Sequence, residues 1–446
     1  MFGFFKRKKG PVVCERKDHC ISRKDIDPDA LKVLYRLSHL GYTAYLVGGG
    51  VRDLLMGRKP KDFDVGTDAR PNEVRRAFRN CFLVGRRFRL AHVKFGEKVI
   101  ETTTFRGPAS SVGEILEQAA EGPVEDNTFG TPEEDAFRRD FTVNGLFYDI
   151  KTFSVIDYVG GLKDLEKGIL RAIGDPMVRF RVDPVRMMRA VKFASRLGFT
   201  IEPKTEKALR ELHSCILNAS VPRVCEEVFR LFSFGSSEKA FRMMWDFGLL
   251  GDLLPELSAH IGRTGGKNAP IWKYLAALDA AEADCEAAGG HVSNAVKMAV
   301  LFTTLARDRD AGAGVRDRIG SMVKDLRVPK AVYFSACVMV DSVRRLAQPP
   351  VRNKLRFVHS RDFADAIFYN RVVCAAEGLP TVNVDRWAAL AAAGGPGAAD
   401  LPDGDGECQD FEPRRRRRRG GRRHRKFNKD AGTSGPATEN DSNEEQ

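Results

Sequence analysis

The sequence lacks the usual means of covalent cross-linking and membrane insertion. Its nine cysteines in 446 residues are odd in number, scattered, and never set as C-x-x-C. Neither a disulfide framework nor a zinc ribbon follows from that pattern. Cys14, His19 and Cys20 lie close together, but no fourth metal ligand is evident beside them. No apolar run approaches the ~20 residues that span a bilayer. Residues 1–10 set Lys-Arg-Lys-Lys beside phenylalanines, without the continuous apolar core of a signal peptide. These absences point to a cytoplasmic chain without membrane contact, and no obligate protein partner is evident. Excess positive charge is scarce as well, except in one place. Of a net +13, ten charges fall within 414–426, which holds nine Arg, one Lys and no acid. The rest of the chain is near balance, and the tract seeks a polyanion.

The length and the 43% hydrophobic content suffice for two or three domains. Leu31, Leu34, Leu37 and Leu40 recur at helical spacing up to Gly41. Residues 42–47 form a buried-strand pattern that runs into Gly48-Gly-Gly50, and Val51 to Met56 begin a helix. A further helix is predicted over 71–79. His92 to Phe95 and Val99 to Thr104 alternate as a hairpin about Gly96, and 143–150 with 152–158 make another strand pair. Between them, 107–131 is rich in Gly, Pro, Ser and Glu and is expected to be a mobile rim loop. From 184 to about 390 the pattern is helical. The remainder turns to Ala, Gly, Pro, acids and the arginine tract, and is expected to be disordered.

The segment with the most chemistry is Leu46-Val-Gly-Gly-Gly-Val-Arg-Asp-Leu-Leu-Met-Gly57, followed by Lys61-Asp-Phe-Asp-Val65. A strand that ends in glycines and opens a helix lets phosphate approach the backbone, and a helix N-terminus favours its charge. Arg52, in the first turn, offers a forked grip on phosphate or sugar. Asp62 and Asp64, two apart on a strand, point to one face. Side by side they repel unless a cation lies between them, and Mg²⁺ shared with substrate phosphates supplies one. A two-metal arrangement, with ions ~3.5–4 Å apart, would activate the attacking hydroxyl and stabilise the leaving pyrophosphate. A lone D-x-D is usually a strand edge and a lone Gly-Gly-Gly usually a turn. Their ordered combination within twenty residues is what makes a site.

Those residues resemble the head motif of the class II tRNA nucleotidyltransferase and bacterial poly(A) polymerase superfamily. Three further segments match in order: Arg138-Arg-Asp-Phe-Thr-Val-Asn144, Asp157-Tyr-Val-Gly-Gly-Leu-Lys-Asp164, and Asp183-Pro-Val-Arg-Met-Met-Arg-Ala-Val-Lys-Phe-Ala194. The resemblance covers roughly 40–235. It implies an α+β chain, with a small mixed-sheet nucleotidyltransferase head, an all-α body and the basic tail. The expected divisions are a basic arm at 1–25, the head at 26–175, a nucleotide- and RNA-binding neck at 176–260, an RNA-binding body at 261–390 and the tail at 391–446. Asp62 and Asp64 would hold Mg²⁺ or Mn²⁺, and Asp140 would be the third catalytic carboxylate, with Glu101 as its competitor. Gly49, Gly50, Arg52 and Arg139 would contact the phosphates and sugar of the nucleotide. Asp183, Arg186 and Arg189, stepping by three along a helix, would face its base or triphosphate. Val182 stands where the family usually has an acid.

The superfamily divides into enzymes that add C, C and A to tRNA and enzymes that add poly(A). Leu83-Val-Gly-Arg-Arg-Phe-Arg-Leu-Ala-His-Val-Lys-Phe-Gly96 resembles the poly(A) branch, and so does the basic C-terminal extension. Arg414, Arg415, Arg416, Arg417, Arg418, Arg419, Arg422 and Arg423 suit sequence-blind phosphate contact with many RNAs. The implied activity is AMP addition from ATP to RNA 3′ ends, with CCA addition to tRNA as the alternative. His92, in a strand beside apolar neighbours, has no evident partner for general-base chemistry and reads as a hydrogen-bonded core residue.

Overall fold

The computed structural model describes residues 10–85, 89–107, 128–308, 315–350 and 352–392. The arginine tract, most of the expected rim loop and nearly all of the expected tail lie outside them. The head is built on an eight-stranded mixed sheet. In chain order its strands are β1 (Val12–Cys14), β2 (Ala44–Val47), β3 (Asp64–Thr67), β4 (Cys81–Val84), β5 (Leu90–Phe95), β6 (Lys98–Thr104), β7 (Leu146–Asp149) and β8 (Ser154–Asp157). In space they run β1-β8-β7-β2-β3-β6-β5-β4. Only β3 and β6 pair in parallel; the other neighbours are antiparallel.

Alternation gives the sheet two unlike faces. Ala44, Leu46, Val65, Ala91, Val93 and Ile100 point into the main head core. The helix Pro28–His39 packs on that side. Asp27 caps it by accepting from the Asp29 and Ala30 amides at 2.8 and 3.4 Å, and Pro28 supplies a preset first turn. Its buried face is Ala30, Val33, Leu34 and Leu37, while Leu40 is 52% exposed at its C-cap. A strict step of three drifts around a 3.6-residue helix, so the predicted leucine row leaves the core at its end. On the opposite face a smaller cluster of Val47, Phe105, Ala136 and Phe147 covers β2 and β7. The hairpin of β5 and β6 turns at Gly96, whose φ is +60°.

The described part of the basic N-terminal segment packs on the head and is not a loose arm. β1 pairs with β8, and Ile21 and Ile26 are buried in the head core. His19 is held by its ring: Nδ1 accepts from the Ile21 amide at 3.2 Å, which leaves Nε2–H to donate to the Phe153 carbonyl at 2.8 Å. It is a fastener, not a metal ligand.

From Pro176 to Ala392 the described chain is almost wholly helical. One apolar cluster runs from Phe141 and Val143 through the helix Val185–Leu197 to Trp387 and Leu390. The Arg138–Asn144 segment is therefore built into the helical core as well as the sheet. No helix among the described residues is long and apolar enough to cross a membrane. We predict that Ile21→Ala lowers stability by about 2–5 kcal/mol through loss of burial and the cavity left behind. The measurement is thermal unfolding, and an unchanged midpoint would place Ile21 in a loose arm after all.

Candidate active site

The sheet register places the carboxylates. β3 opens at Asp64, and the pairing of Val65 with Thr102 sets Asp64 beside Glu101 on β6. Asp62 stands two residues earlier and is exposed. The Asp64 carboxyl is pushed up to about 6, first by burial, then by Glu101, with a smaller push from Asp62 that Arg139 opposes. Among the described residues no three acidic, imidazole or thiol groups form a closed metal cage. Asp62 and Asp64 nevertheless fit a divalent cation, because both line one cavity and the negative charge around Asp64 is incompletely offset.

The glycine turn is bounded by arginines. Gly48 has φ +73°, and a Cβ there would lie 2.7 Å from Nη1 of Arg139. Only glycine serves, for its dihedral and for that contact. Arg139 donates Nε and Nη2 to Asp135 at 3.1 and 3.0 Å and lies 5.2 Å from the Phe147 ring centroid. Arg52 differs from expectation. It forms part of the cavity wall but is 1% exposed, with Nε and Nη2 on Asp53 at 2.9 and 2.7 Å and Nη1 on the Asn144 side chain. Three of its five N–H groups are held by the protein, so it braces the turn from the cavity wall. The other Asp53 oxygen accepts from Arg196 of the helix Val185–Leu197 at 2.9 Å.

Asp140 is likewise committed. It accepts from Nε and Nη2 of Arg189 at 2.8 and 2.6 Å, from Asn144 at 3.0 Å and from the Phe141 amide at 2.8 Å. Burial opposes ionisation, but Arg189, Asn144 and Arg186 together hold its carboxyl well below the usual range. An acid so engaged orients Arg189 and has no free oxygen for a metal. Glu101, beside Asp64, is the carboxylate better placed for that role. Glu227 joins the network from the helix Val221–Arg230, accepting from Lys192 at 2.6 Å and Arg230 at 2.9 Å. Burial, and then repulsion from Arg189, push the Lys192 ammonium down to about 8 against the pull of Glu227.

Two groups in this wall are left over. Oδ1 of Asp183 and Nη1 of Arg186 are buried without a hydrogen-bond partner. The other Asp183 oxygen accepts from Arg223 at 2.9 Å, and Nη2 of Arg186 donates to the Arg138 carbonyl at 3.2 Å. Both side chains are thus held in place, each with one unused atom, where an unmet polar group costs about 1–3 kcal/mol.

Most of these residues line one cavity of about 810 Å³, with Glu101 beside it next to Asp64 and outside its lining. It brings together Gly49, Gly50, Asp62, Asp64, Arg139, Asp140, Asp183, Arg186 and Arg189, as the sequence predicts, with Arg52 behind them. The predicted RNA-binding residues Arg414–Arg419, Arg422 and Arg423 lie outside the described residues. Sequence reasoning missed Asp53, Lys192, Arg196, Glu227 and Phe234, all in the cavity wall. Lys192 and Arg196 extend the 183–186–189 helical stepping, a signal open to use; Glu227 and Phe234 carried none. Phe234 has φ +70°, uncommon for a bulky residue, and the Arg196 guanidinium lies 3.6 Å from its ring centroid.

Comparison with known proteins bears on the class and then on the family. Residues 44–171 match the family model described as the Poly A polymerase head domain, and 198–261 match that of the probable RNA and SrmB-binding site of polymerase A. Poly(A) polymerase I of Salmonella typhi is 48% identical over 258 residues, 57% of this chain and 56% of that protein. The Haemophilus influenzae poly(A) polymerase I is 45% identical over 54% of each chain. A CCA-adding enzyme of Lactobacillus johnsonii is 39% identical over 49% of this chain and 54% of its own. The solved Bacillus stearothermophilus CCA-adding enzyme in complex with CTP superposes with a TM-score of 0.62 at 27% identity, over 82% of this chain and 83% of that one. The chain spans just over half the length of the curated relatives it matches. Its fold is that of a nucleotidyltransferase. Within that class its head matches the poly(A) polymerase head-domain model, and the chain is similar to poly(A) polymerases and to CCA-adding enzymes.

We predict that Asp140→Asn costs about 2–4 kcal/mol, toward the low side for breaking a buried pair because Arg189 is 29% exposed. The carboxyl of Asp140 is depressed in the fold, so its stabilisation is present above the ordinary Asp value of about 4 and fades as pH falls below it. Melting temperatures of the two proteins should converge in acid; a gap that persists there would refute the assignment.

Proposed function

We propose that the chain transfers AMP from ATP to the 3′ ends of RNA in the cytoplasm, releasing pyrophosphate. The 3′ oxygen of RNA attacks the α-phosphorus; the new O–P bond replaces the α–β bridging bond, and the hydroxyl proton passes to solvent. Asp62 and Asp64 hold Mg²⁺ or Mn²⁺, with Glu101 as the third carboxylate and Asp140 as the residue that positions Arg189. The cation, when bound, offsets phosphate charge and makes the 3′ hydroxyl easier to ionise. Gly49 and Gly50 offer backbone N–H groups to the triphosphate from the first turn of a helix. Arg139 and Arg189 balance its charge.

The observation that carries this reading is an unused acceptor on Asp183 and an unused donor on Arg186, two side chains that pair through their other atoms at 3.6 Å in the wall of the cavity that holds Asp62 and Asp64. Adenine presents an amino donor next to a ring-nitrogen acceptor and satisfies both. Guanine and uracil present the reverse and would leave both atoms unmet. Cytosine has the same pattern as adenine, so CCA addition to tRNA is the competing reading. The greater similarity to poly(A) polymerases than to CCA-adding enzymes favours tailing. So does the arginine tract, which suits backbone contact with many RNAs.

Incubation with unstructured RNA and each nucleotide separately tests this choice. Long tails from ATP alone are expected; strict stopping after C, C and A on tRNA would overturn it. Asp62→Ala or Asp64→Ala should abolish AMP incorporation while RNA retention persists. Deletion of 414–426 should weaken RNA binding and flatten its salt dependence by about 0.7 in log–log slope for each phosphate no longer neutralised. An unchanged slope would remove the tract from the RNA-binding surface.

A further inference from the structure

Among the described residues, the sheet face that carries Asp64 is covered at one end and open at the other. Over β2 and β7 lie Val47, Phe105 and Phe147. Beyond Asp64, toward β4, the same face exposes large apolar groups: Phe82 is 59% exposed, Val84 47% and Val99 45%. The register aligns these with the catalytic carboxylates. Phe82 pairs with His92, His92 with Glu101, and Glu101 stands beside Asp64. Four side chains thus form a row across four strands, from an exposed aromatic ring to the reacting centre. Lys94, exposed and paired with Val99, adds a cation to the next row. His92 is half-buried on this open face. The sequence expectation of a core histidine fails because the face is uncovered here.

We infer that this open face is the track on which the last few nucleotides of the acceptor RNA lie, with bases stacked on Phe82 and His92. The inference rests on the proposed transfer to RNA and adds a site to it. The triphosphate occupies the glycine-turn side of Asp64, after β2. Phosphoryl transfer places the attacking and leaving oxygens roughly in line, so the 3′ hydroxyl enters from the other side. That side is β6, β5 and β4. Three interstrand steps of about 4.8 Å put Phe82 about 14 Å from Asp64, the reach of about four stacked nucleotides at ~3.4 Å each. Aromatic faces accept any base, which suits an enzyme that must bind both a varied 3′ end and the adenosines it has just added.

The test uses the full chain and short oligo(A) acceptors with 2-aminopurine placed one to five nucleotides from a 3′-deoxy end. Binding to the wild-type protein should quench the probe at the internal positions. Phe82→Ala and His92→Ala should lose that quench and raise the KM for RNA about 5- to 100-fold, as expected for loss of one stacked base, with the KM for ATP little changed. Phe82→Tyr should restore both, and Val13→Ser, at the opposite edge of the sheet, should alter neither. Unchanged quench and RNA KM in Phe82→Ala would overturn the track, and so would equal losses in RNA and ATP KM. If the wild-type protein binds RNA with the expected quench but transfers no AMP, the proposed function fails and the track stands.

Discussion

Three parts of the cavity wall are tied together by one buried carboxylate, Asp53. Asp53 takes two donors of Arg52 on one oxygen and Arg196 on the other. Arg52 reaches on to Asn144, and Arg196 comes from the long helix Val185–Leu197. One buried acid therefore fixes the glycine turn, the Arg138–Asn144 segment and the helix that bears Arg186 and Arg189. Asp53 and Arg52 are 3% and 1% exposed. Each buried charge has a partner, and removing either would strand the other.

A second network repeats the device nearer the floor. Asp140 from the head, Arg189 and Lys192 from the long helix, and Glu227 and Arg230 from the helix Val221–Arg230 form one network of ion pairs. With most charges in the wall already matched, the unmatched ones stand out. They are the carboxylates around Asp64 and, among single atoms, Oδ1 of Asp183 and Nη1 of Arg186, which lack hydrogen-bond partners although their side chains are ion-paired. The site is specific because its remaining polar capacity is small and directional.

Much of this was legible in the sequence. The glycine turn, Asp64 and the Arg186–Arg189 stepping follow from spacing, whereas Asp62 precedes its strand and Asp183 precedes the long helix, so both reach the cavity from turns and not from the strand or helix face that spacing predicts. The roles of Arg52 and Asp140 do not. A sequence shows that an arginine or an aspartate is near a site but not whether its hydrogen bonds are already taken. Glu101 could be named as a candidate, yet its adjacency to Asp64 depends on the single parallel pairing in the sheet, which joins residues 37 positions apart. β4 escapes a strand assignment because only one of its faces is buried and the other carries Phe82 and Val84 in the open. The same exposure turns His92 from a core residue into a surface one.

The Asp53–Arg196 and Asp140–Arg189 pairs also constrain how such a protein can be recombined. Head and helical body meet through shared networks of opposite charges, and the apolar core crosses the same boundary at Phe141 and Val143. A chimaera that took its head from one relative and its helices from another would leave several ions facing the wrong partners, although each half kept its own fold. The seam therefore limits exchange of the two halves more than the stability of either one does.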